Sequence, residues 1–318
     1  MTARLIDRLE DRISESAQGR GRGLDLVLQG EGLSAAALPL DALGLSLTDP
    51  LSPAPGVVRL KGVSQGATLS RIEALRATGL DAALVRSGLR LTDIKLFASD
   101  LDSTLCATET LDAIAKNAGF GDSVAKVTEA AMRGEIRDYA ESLRQRVKAI
   151  AGCPVSAFTD CAARLPYNPG AEALMAALKS AGVKRYIVTG GFEEIASAAA
   201  AHLEADGWRC NWIEKKEGRL TGRVLGPVEN GFDILDLDGK CRVVEKLGRE
   251  LGAGPSEIIA IGDGWNDTKM LAYAGIGIAY HAKPRVRALV SLQVNHLGLD
   301  SILNWFEDGP SWRKKAGF

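Results

Sequence analysis

The sequence lacks several features that would indicate a secreted, membrane-embedded or nucleic-acid-binding protein. Its five cysteines are an odd number with no Cys-x-x-Cys pair, so they indicate neither a disulfide framework nor a zinc site. A reducing cytoplasm fits them best. No apolar stretch is long enough to span a membrane. The 39 basic and 40 acidic residues leave a net charge of -1, which gives no indication of a nucleic-acid or membrane surface.

What is present suits a soluble globular protein. The chain has 318 residues, 46% of them hydrophobic, so it can bury a sizeable core. At ~150 residues per domain, this length suggests about two domains. Residues 1–18 mix charges with apolar side chains at Leu5, Ile6, Leu9 and Ile13, which is typical of a helix and not of a signal peptide.

Residues 1–90 predict a small α+β domain in which no pair of chemical groups makes a recognisable site. Its apolar stretches predict three strands and one helix. The strands are Leu24–Leu28, Val57–Leu60 and Ala82–Val85, and the helix is Leu69–Ala77.

Two carboxylates follow the apolar stretch that begins at Leu96. In an extended strand side chains alternate between faces, so Asp100 and Asp102 are expected on one side and Leu101 on the other. Such a pair can bind a hard divalent cation, or divide nucleophilic and acid–base work. The alternative is a turn, since Asp and Ser favour turns through local hydrogen bonds.

The remaining chain alternates helices with strands. Three predicted helices, ending near residue 150, follow the Asp-x-Asp strand and indicate a lid or cap. Beyond residue 168 the pattern predicts further helices and three short strands, at Arg185–Thr189, Ile258–Ile261 and Ile276–Ala279. Such alternation predicts an α/β fold with a doubly wound, Rossmann-type parallel sheet, whose site lies at the carboxyl ends of the strands.

Polar clusters follow three of these strands: Asp100 with Asp102, then Thr189–Gly191, then Asp263–Asp267. In this fold they are expected to meet in one crevice. Small hydroxyls and glycines with exposed amides make a phosphate cradle, while carboxylates from two strands make an oxygen site suited to Mg²⁺. The combination predicts phosphoryl-transfer chemistry.

With these motifs the sequence resembles the haloacid dehalogenase superfamily and, within it, the phosphoserine phosphatases, from Leu91 to about Ile302. The matching stretches, in order, are Asp100–Thr104, Val188–Phe192, Lys240, Ile261–Asp267 and Ala279–Pro284. The resemblance implies a haloacid dehalogenase-like domain at 91–318, with a helical cap inserted at about 107–167. Residues 1–90 would form a separate N-terminal domain, with a regulatory role as one option.

The resemblance also implies the catalytic roles. Asp100 would be the nucleophile, and Asp102 the acid that protonates the leaving alkoxide and then deprotonates water. Mg²⁺ would be held by Asp100, the backbone carbonyl of Asp102, and Asp263. Lys240 and Thr189 would hold the phosphoryl group, offsetting the repulsion between a carboxylate and a phosphate dianion.

Substrate recognition is expected in the cap. By resemblance Glu109 takes the amino group of the substrate, and Arg146 takes its carboxylate with a planar fork. Met132 would pack over the substrate. Solvated charges on cap helices, and core packing for Met132, are the alternatives. The predicted binding set is completed by Gly190, Gly191 and Asn266 together with Thr189 and Lys240.

The expected function is hydrolysis of O-phospho-L-serine to L-serine and phosphate through an aspartyl-phosphate, the last step of serine biosynthesis. No nucleic-acid or membrane partner is expected, and a homodimer is one option. Alternatives are a related phosphatase or phosphotransferase for another small phosphorylated metabolite, and an amino-acid sensor built on this fold. Thr189 stands where the family usually has serine, and Trp265 where it has a small residue. An inward Trp265 ring would narrow the crevice.

Overall fold

The computed structural model of this chain describes residues 23–34, 51–63, 69–133, 135–136, 138–226 and 234–318. The helix predicted within residues 1–18 lies outside these ranges. Among the helices that the structure describes, none is both long enough and apolar enough to cross a membrane.

A small antiparallel sheet with one helix forms the N-terminal module. Strand β1 (Leu24–Gln29) lies between β2 (Val57–Val63) and β3 (Asp81–Arg86), and helix α1 is Leu69–Arg76. Because side chains alternate along a strand, Leu26 and Leu28 of β1 pack in the module's own apolar cluster, while Val27 packs in the main core. The predicted elements of this region are confirmed, with small shifts at their ends.

The main sheet has seven strands in the order β10-β9-β8-β4-β5-β6-β7, and only the β6–β7 pair is antiparallel. The strands are β4 Leu96–Ser99, β5 Lys184–Phe192, β6 Gly207–Lys216, β7 Arg219–Leu225, β8 Ile258–Gly262, β9 Ile276–Tyr280 and β10 Leu292–Val294. The predicted α/β fold with a mainly parallel sheet is confirmed.

Helices cover both faces of this sheet. Between β4 and β5 lie α2 Thr110–Asn117, α3 Gly121–Met132, α4 Tyr139–Ala149, α5 Ser156–Ala162 and α6 Ala171–Ser180. The later helices are α7 Glu193–His202, α8 Leu237–Glu250, α9 Thr268–Tyr273, α10 Pro284–Arg287 and α11 Gly309–Lys315. In β4, Phe97 packs in one buried cluster, and Leu96 with Ala98 in another. The central strand is therefore buried on both faces, as parallel strands usually are.

Several elements were not predicted from the sequence: β6, β7, β10, α5, α10 and α11. The β6–β7 hairpin lies at the sheet edge and exposes Trp208, Trp212 and Leu225. Its burial does not follow the simple alternation of apolar and polar residues on which strand prediction depends.

The N-terminal module is tied to the main core by buried polar contacts. Arg59 pairs with Asp25 at 2.9 Å and also donates to the carbonyl oxygens of Asn304 and Trp305. The Asp81 carboxylate accepts three backbone N–H groups from residues 295–297. A cavity of about 1280 Å³ lies along this interface, away from the carboxylates that follow the strands.

We predict that Arg59→Ala strongly destabilises the protein, because it removes the positive charge paired with the fully buried Asp25 carboxylate. Removing one partner of a buried ion pair typically costs ~3–5 kcal/mol of unfolding free energy. Denaturant unfolding measures this cost. The matched control is Lys61→Ala in the same strand, whose ion pair with Glu307 is exposed.

The control should change the free energy of unfolding by ~1 kcal/mol or less. Equal, small losses in both variants would show that the Asp25–Arg59 pair does not hold the module in place.

Candidate active site

The site begins where three neighbouring strands end. Strand β4 lies between β5 and β8, with Ser99 opposite both Ile187 and Ile261. Asp100 follows Ser99, and its N–H donates to the carbonyl of Ile261 at 3.0 Å. Because the strands are parallel, the segments that follow them emerge at the same edge. The predicted meeting of the strand ends is therefore present.

Lys240 enters this edge from helix α8 and is fully buried. Asp236 caps the helix by accepting the N–H groups of residues 238 and 239, which places Lys240 in the first turn. The lysine Nζ lies 2.8 Å from Oδ1 of Asp100 and 2.7 Å from Oδ1 of Asp267. Burial alone would lower the pKa of Lys240, but the two carboxylates outweigh it and hold that pKa above its ordinary value.

Three carboxylates crowd together here. Asp100, Asp263 and Asp267 are buried, and each offers an oxygen within 4.8 Å of the others. Burial, followed by the charge of Asp100, raises the pKa of Asp263 to about 6 and also raises the pKa of Asp267. A hard divalent cation relieves such crowding and prefers oxygen ligands. The donor set therefore fits Mg²⁺.

Asp102 does not lie on an extended strand beside Asp100, so this part of the sequence prediction is wrong. Strand β4 ends at Ser99, and Asp102 belongs to an irregular loop. Within it Ser103 has φ +55°, a left-handed conformation that is uncommon for residues other than glycine. The Asn168 side chain holds the loop by donating to two of its carbonyl oxygens.

Local hydrogen bonds orient the Asp102 carboxylate. It accepts from the Thr110 hydroxyl at 3.1 Å and from the Thr110 N–H at 3.4 Å, and the Cys106 thiol lies 3.8 Å away. The pKa of Asp102 is raised to about 8, mainly by burial and then by the charges of Glu109 and Asp100. This carboxyl group therefore retains a proton near neutral pH, as a general acid requires.

Thr189, Gly190 and Gly191 lie inside β5, which continues to Phe192. The strand predicted to end at Thr189 therefore runs three residues further, and the β5–β6 register shifts between Val188 and Phe192. The buried Thr189 hydroxyl accepts the Gly191 N–H at 2.9 Å, so its own hydrogen can point elsewhere. Asn211, fully buried on β6, donates to the Gly190 carbonyl at 2.9 Å.

The predicted recognition residues lie around this edge. Glu109 is exposed and accepts from the Ser103 hydroxyl at 3.0 Å. Arg146 is partly buried, and its Nε has no hydrogen-bond partner among the described residues. Asn266 is partly buried. Met132 ends helix α3, and its side chain lies outside what the structure describes.

The structure brings four further residues into the site, and none of them was given a role from the sequence. They are Tyr139, Thr110, Asn211 and Asp267. Asp267 closes the same motif as Asp263, so the motif itself carried a signal for it. Thr110 follows Glu109 directly. No pattern in the sequence marked Asn211, because its strand β6 was not predicted.

Trp265 lies at the rim of the site. Its side chain is 40% exposed, and the Arg285 guanidinium covers one face of the ring, 4.0 Å from the ring centroid. The ring is therefore engaged with a surface residue and open to solvent, which argues against its filling the crevice.

The arrangement of strand ends, buried lysine and crowded carboxylates matches a known class. The family model of haloacid dehalogenase-like hydrolases matches residues 94–275. The chain belongs to the haloacid dehalogenase-like hydrolases.

Comparisons with individual proteins narrow the similarity. A phosphoserine phosphatase from Polaromonas sp. is 43% identical over 226 residues, which cover 71% of this chain and 95% of that protein. A solved structure of a probable phosphoserine phosphatase from Vibrio cholerae has a TM-score of 0.74 at 31% identity, covering 98% of this chain and 95% of that one. A HAD family hydrolase from Salmonella enterica subsp. enterica serovar Typhi has a TM-score of 0.80 at 26% identity, covering 90% of this chain and 99% of that one. The resemblance to phosphoserine phosphatases is confirmed.

We predict that Trp265→Ala leaves the range of hydrolysed phosphate esters unchanged, because the ring packs on Arg285 at the rim. Because the ring makes no contact that would stabilise the transition state, kcat/KM should stay within about twofold of the wild-type value for each ester. Arg285→Ala, which removes the stacking partner, should behave alike. A selective gain for bulky esters in the Trp265 variant alone would place the ring inside the crevice.

Proposed function

We propose that this protein is a Mg²⁺-dependent phosphatase that hydrolyses O-phospho-L-serine to L-serine and phosphate. The observation that carries the proposal is the Asp100 carboxylate, held 2.8 Å from buried Lys240, with Asp102 two residues further along the chain. The names of the relatives support phosphoserine as the substrate.

Asp100 is the proposed nucleophile. Its Oδ1 receives both the Lys240 ammonium and the Leu101 N–H, at 2.8 and 2.7 Å. Among the described residues Oδ2 has no hydrogen-bond donor, so it is the oxygen available for attack on phosphorus. Attack forms an aspartyl-phosphate and breaks the bond from phosphorus to the serine oxygen.

Asp102 is the proposed acid and base. It gives its proton to the departing serine oxygen, so that L-serine leaves as a neutral alcohol. It then takes a proton from the water that attacks the aspartyl-phosphate, which frees phosphate and restores Asp100. Thr110 keeps the carboxylate oriented for both transfers through two hydrogen bonds.

We propose that Asp100, the Asp102 backbone carbonyl and Asp263 hold Mg²⁺, whose charge offsets the repulsion between Asp100 and the phosphate dianion. Asp267 also offers an oxygen to this cluster, but it is bonded to Lys240 at 2.7 Å. Its proposed role is to position that lysine.

The remaining assignments follow the same logic. Lys240, the Thr189 hydroxyl and the backbone of Gly190 and Gly191 hold the phosphoryl group, and Asn266 lies at its rim. Glu109 pairs with the substrate ammonium and Arg146 with its carboxylate, while Met132 packs over the substrate. The unpartnered Nε of Arg146 supports its assignment, because a buried polar atom normally has a partner.

We further propose that residues 1–90 form a domain distinct from the catalytic domain at 91–318, whose cap spans about 107–167. The module's own apolar cluster supports this division. A regulatory role for it, a cytoplasmic setting, the last step of serine biosynthesis and assembly as a homodimer belong to the same proposal.

The test of the proposed function is phosphate release with and without Mg²⁺. Phosphoserine should be hydrolysed with a higher kcat/KM than phosphothreonine, phosphohomoserine or a generic aryl phosphate. Removing divalent metal with a chelator should abolish turnover of all four, and added Mg²⁺ should restore it, because three crowded carboxylates need a cation.

Three results would contradict this. Equal turnover with and without chelator would show that the reaction needs no divalent metal. A clear preference for another ester would favour the related phosphatase, and no turnover of any ester would favour the amino-acid sensor.

We predict that Arg146→Ala lowers kcat/KM for phosphoserine roughly 30-fold or more, since leaving a buried charge unpaired typically costs ~2–5 kcal/mol. An aryl phosphate, which has no carboxylate, should be affected far less. Arg144→Ala in the same helix removes an exposed arginine and serves as the control. Equal losses on both esters would make Arg146 structural or phosphate-binding.

A further inference from the structure

The first turn of the cap helix α4 places a tyrosine over the phosphate-binding backbone. Tyr139 opens the helix directly after its cap residue Asp138, whose side chain accepts the Ala140 N–H at 3.2 Å. The Tyr139 hydroxyl lies against Gly190, so closely that a β-carbon at Gly190 would overlap its oxygen. The cap therefore touches the core next to Thr189, at the proposed phosphoryl site.

Positively and negatively charged side chains of the candidate active site surround the Tyr139 hydroxyl. Burial raises the pKa of Tyr139 to about 12, Lys240 and Arg146 act against that rise, and Asp100 with Asp102 adds to it. The hydroxyl is therefore protonated at neutral pH. It lies close to Asp100, Asp102 and Lys240, the proposed nucleophile, acid and phosphate-binding residue.

Tyr139 is partly buried, and on the same helix the Nε of Arg146 is buried without a hydrogen-bond partner among the described residues. Residues 139 and 146 are seven apart, or about two helical turns, so both lie on one side of α4. This side of the cap helix thus presents two donors, the Tyr139 hydroxyl and the Arg146 guanidinium. An anionic ligand between cap and core would accept hydrogen bonds from both, and it would satisfy the buried Arg146 Nε, which is costly to leave without a partner.

We propose that the Tyr139 hydroxyl donates a hydrogen bond to the phosphoryl group of the substrate, so that the cap binds the phosphate as well as the amino-acid part. The proposal rests on the proposed phosphatase function. It assigns the two donors of α4 to different parts of the substrate, with Arg146 on the carboxylate and Tyr139 on the phosphoryl oxygens. It also explains why residue 190 is a glycine, since a larger residue would displace the hydroxyl.

The test is Tyr139→Phe, which keeps the ring and removes only the hydroxyl. Binding of inorganic phosphate to the Mg²⁺-loaded enzyme, measured by calorimetry, should weaken roughly 10- to 100-fold, because hydrogen bonds to charged groups are of the stronger class. The kcat/KM for phosphoserine and for an aryl phosphate should fall by a common factor. Tyr186→Phe, which removes a hydroxyl from the same strand as Gly190, is the matched control and should leave all three values unchanged.

Two outcomes would overturn the proposal. Unchanged phosphate binding in Tyr139→Phe would show that the hydroxyl does not contact the phosphoryl group. A loss confined to phosphoserine, with the aryl phosphate unaffected, would place the hydroxyl on the amino-acid part. Failure of the proposed function is distinguishable, because a wild-type protein that does not hydrolyse phosphoserine still allows the phosphate-binding comparison.

Discussion

A lysine ammonium buried between two carboxylates is the interaction on which the site depends. Lys240 has no exposed surface, and its Nζ bonds Asp100 and Asp267 at 2.8 and 2.7 Å. A charge so placed is tolerable only when its partners are held in position, since desolvation is otherwise uncompensated. Helix α8, the end of β4 and the turn before α9 must therefore keep one fixed relation. The fold therefore holds Asp100, the proposed nucleophile, in place before substrate arrives.

The proposed roles separate phosphoryl transfer, assigned to residues of the sheet, from substrate recognition, assigned mainly to the helices between β4 and β5. Asp100 and Asp263 follow strands of the main sheet and Thr189 lies within one, and all three are buried, which leaves them little freedom. Arg146 and Tyr139 instead lie on a helix of the inserted cap. Changes in the cap can therefore alter which ester is accepted while the groups that transfer the phosphoryl group stay in place.

The sequence predicted those parts of the site that depend on strand ends. Because parallel strands finish at one edge, Asp100, Thr189 and Asp263 could be brought together from their positions after apolar runs. The orientation of Asp102 could not, since it depends on a left-handed Ser103 and on Thr110. Asn211 was missed with its edge strand. The position of Tyr139 follows from how the cap packs on Gly190, a long-range contact that no local pattern encodes.

In the proposed reaction Asp100 forms a covalent bond to phosphorus during turnover. The most direct measurement is to mix enzyme, Mg²⁺ and phosphoserine, quench with acid within one turnover, and locate the phosphoryl group by peptide mass spectrometry. We expect one added phosphoryl group on the peptide that contains Asp100, carried on that residue as an acyl phosphate. A phosphoryl group on another residue, or rapid turnover without any phosphorylated peptide, would contradict it.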